Sequence, residues 1–172
     1  ASDVYKRQRS YGYTIVTVDT MENERNERDG IESLLARKVD GIIVTPCGQD
    51  PEWLENINRN TTPVVLIDRY FNSTELSYVC TDNYLGGYEA TKYLLNNGHE
   101  KILCIQGTPH SMPVRERVRG YLDALRSKGI ESYASIVGDS FSIQNGYLET
   151  KLALSSASRP TAIFALSNTI LL

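Results

Sequence analysis

The stretch from Lys38 to Arg69, KVDGIIVTPCGQDPEWLENINRNTTPVVLIDR, constrains the fold more than any other part of the chain. It contains two short aliphatic runs, GIIVTP and PVVLID, on either side of a helix-length segment that opens at Pro51. This order predicts strand, helix, strand. Strands so short and so uniformly apolar are typical of a parallel sheet with helices covering both faces. The stretch therefore predicts an α/β fold.

Polar or small residues follow both of these predicted strands. Thr45, Pro46 and Cys47 come after the first run, and Asp68 and Arg69 come after the second. In an open parallel sheet, ligands bind in the crevice outside the carboxyl ends of the strands. We therefore expect these residues to face such a crevice, with Thr45, Asp68 and Arg69 as candidate ligand contacts.

The rest of the chain repeats this alternation of strands and helices. Apolar runs predict strands at 13–18, 78–81, 101–105, 133–137 and 161–166. Helical periodicity predicts helices at 21–38, 112–128 and 142–156, another that ends at residue 97, and a last one that opens at residue 167. Strict alternation of this kind favours a doubly wound α/β fold with parallel sheets.

The segment 112–128 is the clearest amphipathic helix in the sequence. At about 100° per residue, Arg117 falls on the edge of its apolar face, whereas Arg115, Arg119 and Arg126 point outward. Position on the helix therefore separates Arg117 from the other arginines around it.

Charge and cysteine usage exclude several classes of function. The net charge of the 172 residues is -3, which gives no electrostatic reason to expect nucleic acid or an anionic membrane to bind this chain. Cys47, Cys80 and Cys104 form no CxxC pair and no metal-binding pattern with His99 or His110. We expect reduced, structural thiols, no metal and no cofactor. The sequence also contains no apolar run long enough to span a membrane.

Seven motifs, taken together, resemble the lactose-repressor (LacI/GalR) family. In chain order they are RKVDGIIVTP, TPVVLIDR, the DN of TDNYLGGYEAT, NNGHEKILCIQG, the RxxGY of RVRGYLDAL, GDSFS with NGY after it, and RPTAIFALSN. They extend from about residue 12 to residue 172. The resemblance implies the effector-binding core of a transcriptional regulator, with the two-lobed fold of type I periplasmic sugar-binding proteins and a ligand in the cleft between the lobes.

The resemblance also implies a domain organisation. Residues 9–98 would form an N-terminal lobe without its first strand and helix, and residues 99–172 an incomplete C-terminal lobe. Residues 1–8, ASDVYKRQ, fit no periodic pattern and match the translation of a sequencing adapter, so we expect a non-native leader. Regulators of this family form homodimers and bind operator DNA through an N-terminal helix-turn-helix headpiece, which this chain would lack.

Two residues, one from each predicted lobe, resemble effector contacts of the family and are expected to converge on the same ligand. Asp68 would accept hydrogen bonds from two neighbouring hydroxyls of a sugar; the alternative is that it pairs with Arg69 or caps the following turn. Arg117, in the RxxG pattern, resembles the effector-binding arginine. Its alternative role is that of a surface arginine whose stem covers apolar neighbours.

Four further positions match the family's effector contacts less specifically. Phe141 matches the aromatic residue that stacks on the flat face of a sugar or nucleobase, with a core residue as the alternative. Asn168 matches the Asn of the family's ND pair, but Thr169 stands where Asp is usual, which shortens the acceptor and removes a charge. This departure indicates either a ligand other than a common hexose or a divergent member of the family. Asp82 matches a hinge-side position and is equally suited to capping the next helix.

Three functional hypotheses follow from these residues. The first is a cytoplasmic regulator core that senses a small sugar or related metabolite. The second is a periplasmic sugar-binding protein of an ABC transporter, and the true N-terminus would distinguish the two, because it carries a helix-turn-helix in one case and a signal peptide in the other. An enzyme is third, since the sequence contains no GxSxG, GxGxxG or GxxxxGK[ST] motif and no catalytic dyad. We therefore expect no catalytic residues.

Overall fold

The structure is a computed structural model that describes residues 10–48 and 50–172. Helices and strands alternate along most of it, as predicted. The helices are α1 (Glu24–Ala36), α2 (Glu52–Asn60), α3 (Asn83–Asn96), α4 (Met112–Ser127), α5 (Ile143–Ser155) and α6 (Asn168–Leu171), with a 3-10 helix at Glu131–Tyr133. The strands are β1 (Ile42–Val44), β2 (Val64–Ile67), β3 (Ser77–Val79), β4 (Ile102–Ile105), β5 (Ser135–Val137) and β6 (Ala162–Ala165). The predicted non-native leader at positions 1–8 lies outside the described residues.

The chain divides into two compact units. The first runs to Ile67 and includes Phe71–Tyr78, and the second consists of Asp68–Tyr70 and Val79–Leu172. In this division α3, which packs extensively on α4, groups with the second unit. The predicted lobes, residues 9–98 and 99–172, stay a prediction. Among the helices of the described residues, none combines the length and hydrophobicity that crossing a bilayer requires.

The sheet of the first unit has the strand order β1-β2-β3, and β1 runs parallel to β2. In β1, buried and exposed residues alternate: Ile42 and Val44 are buried, whereas Ile43 is 74% exposed. All three residues of β3 are exposed. Cover on both faces, which the sequence led us to expect, is therefore not present in this sheet among the described residues. The other buried apolar residues of the unit are Ile31, Leu54, Ile57, Val64, Leu66 and Leu76.

The prediction of a strand at 13–18 is wrong. Residues 13–20 adopt no regular secondary structure and are largely exposed. Val18 lies against Gly30 of α1, where an added Cβ would come within 2.7 Å of the valine Cγ1. A strand needs a neighbour for its backbone N–H and C=O groups, and none of the strands in the described residues pairs with this segment. High β propensity was therefore not sufficient to form a strand here.

The sheet of the second unit has helices on both of its faces. Its strand order is β5-β4-β6, and β4 is parallel to both neighbours. All four residues of β4 are buried. Ile102 and Cys104 belong to a cluster with residues of α4, and Leu103 and Ile105 belong to another with Ile170 of α6. This unit confirms the predicted doubly wound arrangement around a parallel sheet.

Two glycines bring the backbones of α3 and α4 into direct contact. A Cβ added to Gly87 would lie 2.2 Å from the carbonyl oxygen of Arg117, and one added to Gly120 would lie 2.2 Å from that of Tyr84. No side chain fits between the helices at these points. The glycine of the RxxGY motif is therefore required by close helix packing.

The tyrosine of the same motif fixes α4 to the sheet. Tyr121 is fully buried, and its hydroxyl donates to the carbonyl of Ile102 at 2.8 Å. The same hydroxyl accepts a hydrogen bond from the backbone N–H of Ser135 at 3.0 Å. The Tyr121 hydroxyl thus hydrogen-bonds to the first residue of β4 and to the first residue of β5, which fixes the position of α4 on the sheet.

Candidate functional site

Three segments of the second unit meet at the carboxyl edge of its sheet. Gln106 and Gly107 follow β4, a turn at Gly138 follows β5, and Leu166 follows β6. Because β4 lies between β5 and β6, and adjacent strands are about 4.8 Å apart, these ends are close neighbours. Edges of this kind are where open α/β sheets bind ligands.

The guanidinium of Arg117 reaches this edge from α4. Its Nε donates to Oδ1 of Asn83 at 2.9 Å, and its Nη1 donates to the carbonyl oxygen of Leu166 at 2.5 Å. Arg117 is half-buried, whereas Arg115 and Arg119 are exposed. The predicted separation of Arg117 from its neighbours on the helix is confirmed. Its alternative role as a surface arginine does not account for these two bonds.

Asn83 holds Arg117 at this edge, and the sequence analysis did not identify it. It is only 3% exposed, at the first position of α3, and its Nδ2 donates to the carbonyl of Thr81 at 3.1 Å. Asn83 is the second residue of the DN motif, directly after the candidate Asp82. Asparagine at the start of a helix is commonly a capping residue, and its contact with Arg117, 34 positions away, leaves no local pattern.

Phe141 lies over the end of β4. An added Cβ at Gly107 would come within 2.3 Å of its ring, so the absence of a side chain at Gly107 lets the ring rest on the backbone. Phe141 is 37% exposed and is therefore not a core residue. The loop that carries it is tied down by Asn145, whose Nδ2 donates to the carbonyls of Gln106 at 3.0 Å and Ser140 at 2.7 Å.

Asn168 and Thr169 open α6 directly after β6. Both are exposed, and Ser167 caps the helix by accepting a hydrogen bond from the backbone N–H of Ile170 at 3.3 Å. The carbonyl bonded by Arg117 belongs to Leu166, two positions before Asn168. The structure therefore brings Arg117 and the predicted Asn168 and Thr169 to the same strand end.

Asp68 groups with the second unit and has an unusual backbone. Its φ is +66°, and its N–H donates to the carbonyl of Val79 at 2.9 Å. Left-handed backbone is uncommon outside glycine, although Asp tolerates it better than most residues. Such conformations cluster at functional sites. Asp68 is exposed and Arg69 half-buried.

The remaining two candidates have separate outcomes. Asp82 caps α3, since its Oδ1 accepts the backbone N–H of Leu85 at 2.8 Å, so the capping alternative is confirmed. Thr45 is exposed at the carboxyl end of β1, in the first unit. The effector contacts proposed for both residues stay predictions.

The carboxyl edge of the second sheet thus offers complementary chemistry. Arg117 supplies N–H donors whose partners, an amide oxygen and a backbone carbonyl, are both neutral and do not cancel its charge. Phe141 supplies a partly exposed aromatic face, and Asn168 and Thr169 supply amide and hydroxyl groups. Donors, acceptors and a flat apolar face together suit a small polyhydroxylated ligand.

Comparison with known proteins gives a consistent result. The family model described as periplasmic binding proteins and sugar binding domain of LacI family matches residues 3–172. The HTH-type transcriptional repressor PurR of Vibrio atlanticus (strain LGP32) is 31% identical over 163 residues, which are 94% of this chain and 49% of that protein. The ribose operon repressor of Haemophilus influenzae is 30% identical over 159 residues, or 92% of this chain and 48% of that protein. The chain spans about half the length of these curated relatives.

A solved structure agrees with the observed architecture. The transcription regulator CcpA of Lactococcus lactis matches with a TM-score of 0.83 at 25% identity, over 98% of this chain and 62% of that chain. This likeness confirms the predicted periplasmic-binding-protein-like α/β fold.

Proposed function

The chain belongs to the family of periplasmic binding proteins and LacI-family sugar-binding domains, and from this premise we propose that it is the effector-binding core of a bacterial transcriptional regulator. The observation that carries the proposal is the placement of Arg117. This half-buried guanidinium is held at the carboxyl edge of the second sheet by Asn83 and the Leu166 carbonyl. A cation held at the same sheet edge as a partly exposed aromatic ring is typical of a small-molecule site.

The effector we propose is a small sugar or a related polar metabolite. The family description names sugar binding, and one relative is named a ribose operon repressor. Arg117 would donate to its hydroxyl or anionic oxygens, and Phe141 would stack on its flat face. Hydrogen bonds to charged groups contribute about 1.5 to 3 kcal/mol each. The other contacts we propose are Thr45, Asp68, Arg69, Asp82, Asn168 and Thr169.

Regulation requires that the effector prefer one arrangement of the core over another. A ligand that binds both arrangements equally shifts no equilibrium, and DNA affinity would then not respond. We propose that the core acts as a cytoplasmic homodimer and reaches operator DNA through a helix-turn-helix segment outside this chain. Its role in this proposal is binding and not catalysis.

The proposal is tested with Arg117→Ala in a full-length regulator that contains this core. Fluorescence anisotropy of labelled operator DNA, with D-ribose as the first effector probe, measures release. Loss of charged hydrogen bonds predicts that Arg117→Ala needs at least about 10-fold more effector for half-release, while operator affinity without effector is unchanged.

Arg115→Ala is the matched control, because it removes the same side chain two positions away at an exposed site. We expect its release curve to match that of the wild type. An Arg117→Ala curve that also matches the wild type would reject Arg117 as the effector contact.

A further inference from the structure

Asn83 is a buried amide whose oxygen and nitrogen are both hydrogen-bonded. Its Nδ2 donates to the carbonyl of Thr81 at 3.1 Å, and its Oδ1 accepts from Nε of Arg117 at 2.9 Å. A carbonyl only accepts and a guanidinium only donates, so these partners determine which way the amide faces. The acceptor of Asn83 is therefore directed at the arginine.

The two hydrogen bonds of Arg117 fix the plane of its guanidinium. A guanidinium is rigid and planar, so bonds at Nε and Nη1 define its orientation. The partner of Nη1 is a backbone carbonyl, that of Leu166. Within residues 10–48 and 50–172, Asn83 is the one side chain that bonds this group, and Nη2 forms no hydrogen bond.

Close packing keeps Asn83 and Arg117 at a constant separation. Asn83 begins α3 and Arg117 lies in α4, and the two helices touch through their backbones at Gly87 and Gly120. The bond therefore joins two side chains on rigid elements that cannot drift apart. This is the arrangement required to hold a binding group in one orientation.

We propose that Asn83 is a positioning residue, which orients Arg117 so that Nη2 is presented to the effector. This inference rests on the proposed function of Arg117 as an effector contact. Without Asn83, the long arginine side chain would regain rotamer freedom, and binding would have to order it again. Asn83 would then control effector affinity without touching the effector.

Nuclear magnetic resonance of the 15N-labelled chain tests the positioning directly and without any ligand. The Nε–Hε signal of Arg117 is identified by its disappearance in Arg117→Ala. In Asn83→Ala we expect this N–H to exchange with solvent at least 10-fold faster than in the wild type. An unchanged exchange rate would overturn the proposal.

Asn145→Ala is the matched control for the loss of a buried amide. Asn145 is also buried in the second unit, and its hydrogen bonds go to Gln106 and Ser140 and not to Arg117. We expect a comparable fall in the thermal midpoint and an unchanged Arg117 Nε–Hε exchange rate. If Asn145→Ala accelerates that exchange as much as Asn83→Ala does, general loosening is the explanation and positioning is rejected.

Asn83→Asp distinguishes the effect of the hydrogen bond to Arg117 from that of the hydrogen bond to the Thr81 carbonyl. It keeps an acceptor for Arg117 but loses the donor to the Thr81 carbonyl. We expect the Arg117 N–H to stay protected in this variant. If Asn83→Asp loses protection as fully as Asn83→Ala, the amide serves the backbone at Thr81 and not the arginine.

Release from operator DNA by D-ribose, in the full-length regulator, connects positioning to binding. We expect Asn83→Ala to raise the half-release concentration about 10-fold, and the double variant Asn83→Ala/Arg117→Ala to behave like Arg117→Ala alone. Fully additive effects would overturn the proposal. If Arg117→Ala has no effect on release while Asn83→Ala still frees the Arg117 N–H, the proposed function fails and the positioning contact itself stands.

Discussion

Two adjacent glycines in α3, Gly86 and Gly87, should respond in opposite directions to the same substitution. A Cβ at Gly87 would lie 2.2 Å from the carbonyl oxygen of Arg117 and 2.8 Å from its Cα. A Cβ at Gly86 would have nothing within 4 Å. Both positions are helical without positive φ, so replacing either glycine by alanine lowers the entropy of the unfolded chain equally.

The magnitudes follow from these distances. Carbon–oxygen contacts are ordinarily about 3.3 to 3.6 Å, so Gly87→Ala has to separate α3 from α4 by more than about 1 Å. Overpacking costs about 1 to 3 kcal/mol, and the upper part of that range applies because the obstacle is backbone and cannot rotate away. The helix-propensity gain of about 1 kcal/mol offsets only part of this cost. We expect a net loss of about 1 to 2 kcal/mol for Gly87→Ala and a gain of about 0.5 to 1 kcal/mol for Gly86→Ala.

Thermal melting followed by circular dichroism measures both variants against the wild type. For a chain of this length, 1 kcal/mol shifts the midpoint by about 2 to 4 °C, so Gly87→Ala should melt about 2 to 8 °C lower and Gly86→Ala slightly higher. Midpoints are compared because a chain of two units need not unfold in one step. Midpoints that rise together in both variants would refute the close backbone contact of α3 and α4.

Two further substitutions probe the core of the second unit. Tyr121→Phe removes the hydroxyl that hydrogen-bonds to the backbones of Ile102 and Ser135. Because unpaired buried polar groups cost about 1 to 3 kcal/mol, the melting midpoint of this variant should fall. An unchanged midpoint would contradict those hydrogen bonds. Burial raises the pKa of the Cys104 thiol from 9.0 to about 12, so the unfolded state releases this proton at lower pH than the native state. The free energy of unfolding should therefore fall as pH rises from about 9 towards 12. Melting midpoints measured between about pH 8 and about pH 10.5 should fall less steeply in Cys104→Ala than in the wild type. An identical slope in the variant would exclude burial of this thiol.

Local patterns in the sequence predicted most elements of this fold. The period of the apolar residues placed Arg117 on the boundary of its helix face, which the structure confirms. Gly98 and Gly129 directly follow the predicted helix ends at residues 97 and 128, and their φ values of +85° and +72° lie in the left-handed region that favours glycine. Each of these predictions depends on neighbours within a few positions, and such signals are the ones a single sequence carries.

Features that depend on distant partners were not predictable in the same way. The segment 13–18 has strand composition, but its pairing depends on other strands and not on its own residues. The pairing of Asn83 with Arg117, and the ring of Phe141 over Gly107, join positions that are 34 apart in both cases. All four residues lie in the quoted family motifs, but only the fold shows which of them contact each other.

The pairing of β4 affects how the chain folds while it is being synthesised. In the first sheet, Ile42 pairs with Val64, only 22 positions later, so both strands are available early. Ile102, in contrast, pairs with Ala162, 60 positions later, on one side of β4. The fully buried middle strand of the second sheet therefore gains this neighbour only after 60 further residues have been synthesised. Chaperones that protect nascent chains would therefore be needed for longer at β4 than at β1.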